Sequence, residues 1–373
     1  MLSICRRQSG EVCEVFVTLG CGPSEDGAPK LRQVFSELGE VLSGAGARLL
    51  QERVFGPAEA LRRAARARRE AYGELADGVE PAWILTPAPR RGGLAGVQIH
   101  AIAGPGRIRP LSLDGRLCGR MHEGARGRYI TASALKGRAG LSPAAQAGQM
   151  FEKAKALLGS LGAHFCSVVR TWVWLGRILD WYDPFNKVRR DFYSREGLLN
   201  CRPSRIYLPA STGVGLRPAG GQICALDFVA ALDESRPRRV FRTSGRQGFP
   251  LDYGSAFSRA VRAYGPTGKV LFVSGTAAID PRGRTVCVGK AKAQIAETLN
   301  NVRAVLHDGG CSESDIVQAI AYCKTREVED VFRRDWGRLP WPCLIVRGDV
   351  CRPELLFELE ATACPGASVA RAS

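Results

Sequence analysis

Three stretches of this chain spell the same helix: VFSELGEVLSGAGA at residues 34–47, MFEKAKALLGSLGA at 150–163 and TLNNVRAVLHDGGC at 298–311. In each, apolar residues recur at helical spacing, as in Leu38, Val41 and Leu42 or Val302, Val305 and Leu306. The phrase then stops at glycine, which tolerates the left-handed turn that ends a helix. Self-similarity over such distances marks a chain of large repeated units, one fold copied twice.

The chain beyond each helix repeats as well. GARLLQERVF, HFCSVVRTWVWL and SESDIVQAIAYC read as strands. A second helix comes next: the Arg-rich run around 61–72, then 180–194, then 327–339. Each gives way to a proline, Pro81, Pro203 and Pro342, which ends the helix and starts an extended segment. Two strands close every unit: AWILTPAP and GVQIHAIA, SRIYLPASTGVG and QICALDFVAA, CLIVRGD and ELLFELEATA. In the last of these Leu356, Glu358 and Glu360 share one face, and Phe357, Leu359 and Ala361 the other. A solvated sheet edge explains Glu360 more readily than Glu358.

Ahead of the helix, the second and third units carry hairpin-like leads at 127–137 and 268–286, while in the first only 11–20 can play this part. The unit therefore reads strand, strand, helix, strand, helix, strand, strand: α+β, a mixed sheet covered by helices on one face. The boundaries predicted are 1–104 for a degenerate first unit, 105–235 for the second, 236–267 for a connector, 268–365 for the third and 366–373 for a disordered tail.

The 373 residues are 45% hydrophobic and 24% charged, the composition of an ordinary globular protein with length for two or three domains. No apolar run approaches a membrane span, and the opening MLSICRRQSG lacks the apolar core of a signal peptide, so the expectation is a cytoplasmic protein with no membrane partner. The 13 cysteines are scattered without a CxxC pair and the four histidines lack ligand spacing, so neither metal nor cofactor is expected. The net charge of +17 is carried by arginine. No recognition helix or aromatic strand accompanies it, and the run AEALRRAARARREAY reads as a helix with its arginines on a solvated face, so nucleic acid is not expected as a partner.

FVSGTAAIDPRG, TLNNVRAVLHDGG and ELLFELEATA resemble the YjgF/RidA family of deaminases, trimers with ligand sites between subunits. The third unit matches over roughly its whole length, the second more loosely, and the first only in its later half. That family holds a substrate carboxylate with an arginine soon after the proline and places a glutamate in the last strand. Here Pro203-Ser204-Arg205 fits the arginine in the second unit, where Cys224 and Ala225 replace the acid; Glu358 fits the acid in the third, where Cys343 stands near the arginine position. A fused chain with this division of labour resembles the chorismatases, which split chorismate into pyruvate and a ring acid. RTWVWLGRILDWYDPFNKVRRDFY, RPSRIYLPASTGVG and VRGDVCRPELLFELEA carry that resemblance. It implies tandem YjgF/RidA-like (chorismate-mutase-like) units in a pseudo-trimeric arrangement, and hence a monomer.

Chorismate is a dianion with a vinyl ether, so its site needs carboxylate holders and an acid able to protonate carbon. The resemblance implies Arg205 as one holder, with Arg347 as a second candidate. The amides and hydroxyls of Ser211, Thr212 and Gly213 are candidates for the other anionic group, and Tyr207, beside Arg205 by strand alternation, for a ring oxygen. Glu358 is implied as the general acid, kept protonated by burial. Cys351, seven residues earlier, is implied as the mark of members that form 3-hydroxybenzoate rather than a dihydroxycyclohexadiene acid. Two other readings stand beside this one: an enamine or imine deaminase, if Arg205 and Glu358 meet across a unit interface, and a basic RNA-binding protein.

Overall fold

In the computed structural model, which describes residues 1–21, 31–89, 93–199, 207–232 and 238–371, the three phrases are three helices with one ending. Gly46, Gly162 and Gly310 hold the same place in the phrase and take φ of 59°, 66° and 72°. The residue after each glycine donates its N–H five residues back: Ala47 to Leu42, Ala163 to Leu158 and Cys311 to Leu306, at 2.9, 2.9 and 2.8 Å. The glycine itself donates to the carbonyl three residues before it. That pair of bonds closes a helix only around a left-handed residue, which is why glycine recurs there.

The first unit comprises β1 (Leu2–Ser9), β2 (Val12–Gly20), α1 (Leu31–Gly44), β3 (Arg48–Gly56), α2 (Ala58–Tyr72), β4 (Ala82–Leu85) and β5 (Gly96–Ala103). It thus has both lead strands, where the sequence offered only 11–20. The second comprises β6 (Arg107–Leu113), β7 (Arg116–Gly124), β8 (Gly127–Leu135), α3 (Pro143–Gly159), β9 (Val168–Leu175), α4 (Ile178–Arg195), β10 (Ala210–Val214), β11 (Arg217–Pro218) and β12 (Cys224–Leu232). The third comprises β13 (Arg239–Phe241), β14 (Ala260–Gly265), β15 (Gly268–Ala277), α5 (Ala291–Asp308), β16 (Ile316–Cys323), α6 (Arg326–Trp336), β17 (Leu344–Arg347) and β18 (Phe357–Ala363), and β19 (Ser368–Arg371) ends the described chain.

The sheets carry one strand order three times: β4-β3-β5-β2-β1, β10-β9-β12-β8-β7 and β17-β16-β18-β15-β14. In each, the edge pair β3–β4, β9–β10 or β16–β17 is parallel, joined by a helix as a parallel crossover requires. The additional strands correct two expected boundaries. Residues 236–267 are not a connector, because β13 and β14 belong to the third sheet. Within the expected tail, Ser368–Arg371 are not loose, because β19 pairs antiparallel with β1 and forms the outermost strand of the first sheet. In the second unit the closing strand β10 begins at Ala210, directly after Pro209, while Pro203 lies outside the described residues.

One face of each sheet packs under its own two helices, giving three separate apolar cores. The other faces of all three sheets share a fourth core, with Phe55, Trp174 and Tyr322 contributed by β3, β9 and β16. The result is α+β, three tandem units arranged as a pseudo-trimer within one chain, with helices outside and sheets facing inward. Along α2, Arg62, Arg63, Arg66 and Arg69 are exposed as expected, while Arg68 is buried against Glu52 and Tyr72.

Candidate active site between the second and third units

The register of the closing strands decides where an acid can stand. Glu358 lies opposite Tyr322, Ala225 opposite Trp174 and Gly96 opposite Phe55, so these three occupy one position of the repeat. Only the third copy keeps a carboxyl there. Glu358 therefore faces the seam where β10 of the second unit packs on β15 of the third.

Room for that carboxyl comes from a bulge. Between the pairs Val273–Ala361 and Thr276–Leu359, two residues of β15, Ser274 and Gly275, oppose one residue of β18. A side chain at Gly275 would collide with Glu358 Oε1 and approach the Thr212 methyl. Glycine thus opens the space, and the bulge aims it. The second unit repeats the bulge at Ser133–Ala134 of β8, where the Ala134 N–H donates to Asp227 at 2.7 Å.

Glu358 is 4% exposed and has no hydrogen-bond partner among the described residues. Burial, and then the neighbouring Glu360, push its carboxyl up to about 8, against the pull of Arg170 and Arg259. Glu360 lies on the same strand face but is no solvated edge residue, as its position had suggested. It is 4% exposed, with Oε2 accepting from Arg170 Nη2 at 2.8 Å and Oε1 from Trp172 Nε1 at 2.7 Å. Arg170 Nη2 also donates to Thr212 Oγ1 at 2.6 Å, and its Nε and Nη1 have no hydrogen-bond partner among the described residues.

Cys351, in the segment between β17 and β18, packs against both the central core and that of the second unit. Burial and then Glu358 push its thiol up to about 12, so it is a neutral wall and not a nucleophile. Around the pair stand three arginines that the sequence reading missed. Arg189 of α4 is 1% exposed, donates to Asn186 Oδ1 at 2.6 Å and leaves its Nε unpartnered. Arg259, also 1% exposed, donates to the Gly248 carbonyl at 3.0 Å and to the Tyr253 hydroxyl at 2.5 Å. Arg352 donates to the Gly283 carbonyl at 2.6 Å and lies 5.4 Å over the Tyr253 ring. Tyr182 completes the group: burial and then Cys351 push its hydroxyl up to about 12. Fixed cations, a protonated carboxyl and aromatic walls suit a compact polyanion that must take a proton.

The expected anchors fare unevenly. Arg205 lies outside the described residues. Tyr207 precedes β10 and sits under Arg238, 4.7 Å from its guanidinium, in a cleft with His164, Cys166 and Leu232 at the far end of β12 from Ala225. The expected cradle at 211–213 is a strand, not a turn. Ser211 spends its amide on Ser274 and receives the Thr171 hydroxyl, and Gly213 approaches Leu175, both on the helix-covered face. Of the three only Thr212 lies on the Glu358 side, its methyl beside Gly275. Arg347 also falls on the helix-covered face, paired with Glu329 at 3.2 Å and bonded to the Ala88 carbonyl, so it is no second holder. A signal for Arg189 was present: it stands at the fifth position of FNKVRRDF, on the apolar stripe between Phe185 and Phe192. Arg259 and Arg352 gave none. Among the described residues, no group of three or more His, Cys, Asp or Glu side chains could hold a metal ion.

Three similarities bear on this arrangement. Residues 251–364 match the model of the endoribonuclease L-PSP family. RutC family proteins of Pyrococcus horikoshii and Pyrococcus abyssi are 27% and 26% identical over 111 residues, 29% of this chain and 85% and 84% of theirs. A crystal structure of a chorismatase covers 96% of this chain and all of its own, with a TM-score of 0.66 at 20% identity. The chain thus has the fold of that chorismatase, with a third unit built like an endoribonuclease L-PSP domain.

Proposed function

We propose that the protein cleaves chorismate, releasing pyruvate and 3-hydroxybenzoate, and that it works as a monomer. The observation that carries this reading is Glu358, a buried carboxyl raised to about 8, at the one of three equivalent strand positions that keeps an acid. The fold likeness to a chorismatase supports it. Arg189, Arg259 and Arg352 are the described cations near enough to hold a dianion, and Thr212 faces the acid.

Glu358 gives its proton to the methylene carbon of the enolpyruvyl group, leaving positive charge on the ether carbon and oxygen. The ring C4 hydroxyl oxygen then bonds to C3, returning its proton to the Glu358 carboxylate, as the C3–O ether bond breaks, and pyruvate departs with the ether oxygen. Opening of the C4–O bond, with the C3 proton lost and that oxygen protonated in its place, aromatises the ring to 3-hydroxybenzoate. No water is consumed, so the atoms of chorismate are divided between the two products. Attack by water would instead give pyruvate and the dihydroxycyclohexadiene acid. The neutral, apolar-packed thiol of Cys351 offers water no strong partner beside Glu358, which favours the first course.

Incubating the purified protein with chorismate tests this. Pyruvate should accumulate in step with 3-hydroxybenzoate, and Glu358→Gln should lower kcat by about 10²–10⁴-fold. Absence of pyruvate overturns the proposal; a dihydroxy acid as the product overturns the part given to Cys351. Ammonia released from an enamine substrate, without pyruvate from chorismate, would favour a deaminase.

A further inference from the structure

Glu358 and Glu360 stand two residues apart on one strand face, about 6.7 Å at β spacing, and both are buried. They are bonded very differently. Both oxygens of Glu360 are acceptors, from Arg170 and Trp172, which is the bonding of a carboxylate, whereas Glu358 faces an open bulge with no donor among the described residues. Arg170 could have reached toward Glu358 through Thr212. It is instead held back by Glu360, and its ring-facing side lies 4.5 Å over Trp172. Trp172 is gripped in turn by Arg53 at 3.6 Å on its own face, and Arg53 pairs with Asp227 at 3.1 Å.

We propose that Glu360, through its pairing with Arg170, is a positioning residue that keeps the Glu358 carboxyl in its acid form. Two effects act together. A fixed negative charge on the same face disfavours a second one, and an engaged Arg170 is unavailable to stabilise an ionised Glu358. Among the described residues, the charged and titratable groups around Glu358 are Glu360 on its own strand, Arg170 on β9, Tyr322 on β16, Tyr182 on α4, Cys351 before β18 and Arg259 before β14, with Arg189 of α4 and Arg352 beside Cys351. Of the charged neighbours Glu360 acts most strongly on Glu358, ahead of Arg170 and Arg259.

The role in catalysis rests on the chorismate reading, but the protonation can be read without substrate. The infrared C=O band of a protonated carboxyl, assigned to Glu358 by its loss in Glu358→Gln, is followed against pH. In the unsubstituted protein it should disappear with a midpoint near 8. Glu360→Gln should move that midpoint down by about one unit or more. An unchanged midpoint in a folded variant overturns the proposal. Should Glu360→Gln fail to fold because Arg170 is left unpaired, Glu360→Gln/Arg170→Met removes both charges. Its midpoint should still fall, by less, and an unchanged one is equally fatal. With chorismate, the alkaline limb of kcat should shift with the band, whereas a purely structural pair would lower stability and leave the limb in place. Absence of turnover by the unsubstituted protein would remove the chorismate reading and leave the infrared result standing.

Discussion

Glu358 was legible as an acid on the face opposite Phe357 and Leu359, because strand alternation needs only the sequence. What that face meets was not legible, and for Glu360 the simplest reading, an edge in water, fails because two more sheets cover it. The same covering fixes the sign of a stability prediction. A carboxyl near 8 in the folded chain and near 4.5 when unfolded binds its proton more tightly in the fold. Stability then falls as pH rises from about 4.5 to 8 and levels off above. Glu358→Gln should therefore raise the melting temperature over the unsubstituted protein at pH 9 and change it little at pH 4, measured by calorimetry at both. Catalysis should fall over the upper end of this range, because the reaction uses the protonated form. At Gly275 an added methyl meets the Glu358 carboxylate itself. Gly275→Ala should cost about 1–3 kcal/mol in denaturant unfolding and lower kcat/KM at least about tenfold, since the acid must turn from its place.

Helices and their ends were the most readable elements, for local reasons: apolar spacing and a left-handed glycine are decided within a few residues of chain. In the second unit two prolines compete for the start of the closing strands, and the chain gives no local reason to single out Pro209, which directly precedes β10. The bulge in β15 was hidden for the converse reason, since SGT reads as plain strand until β18 is laid beside it. Nor could β19 be read: it owes its shape to β1, more than 350 residues away, with Ser3 opposite Arg371. That pairing matters because it makes the four-residue β19 the sheet edge in place of the eight-residue β1, and a short edge strand is a poorer template for other chains. Removing residues 367–373 should leave the Glu358 seam intact and active, while the truncated chain associates at concentrations where the full chain does not. Light scattering across a dilution series checks this; equal behaviour of the two chains would mean that β19 protects nothing.

At the scale of the molecule, three copies invite the idea of three independent domains, and the shared central core argues against it. Phe55, Trp174 and Tyr322 come from different units yet belong to one cluster, with Phe55 and Trp174 edge to face at 5.7 Å. The polar contacts crossing the seams are only partly shared: the Gln51 amide on the Ala132 carbonyl is repeated by the Gln318 amide on those of Val17 and Ile99, whereas Arg53 with Asp227 and Arg170 with Glu360 each belong to one seam. No two seams are therefore interchangeable, and each copy is fitted to its own neighbours around the shared core. It also predicts one unfolding transition. Arg53 and Asp227 have side chains 5% and 0% exposed, so Arg53→Met leaves a buried carboxylate unpaired, at a cost of about 3–5 kcal/mol. If the units were separate, only the first and second would weaken. With one shared core the loss of tryptophan fluorescence and the loss of activity should move together to lower urea, because Arg53 lies on Trp172 and Trp172 holds Glu360. Two separated transitions, with activity surviving the first, would show that the third unit stands without its neighbours and that the pseudo-trimer is three folds on one thread.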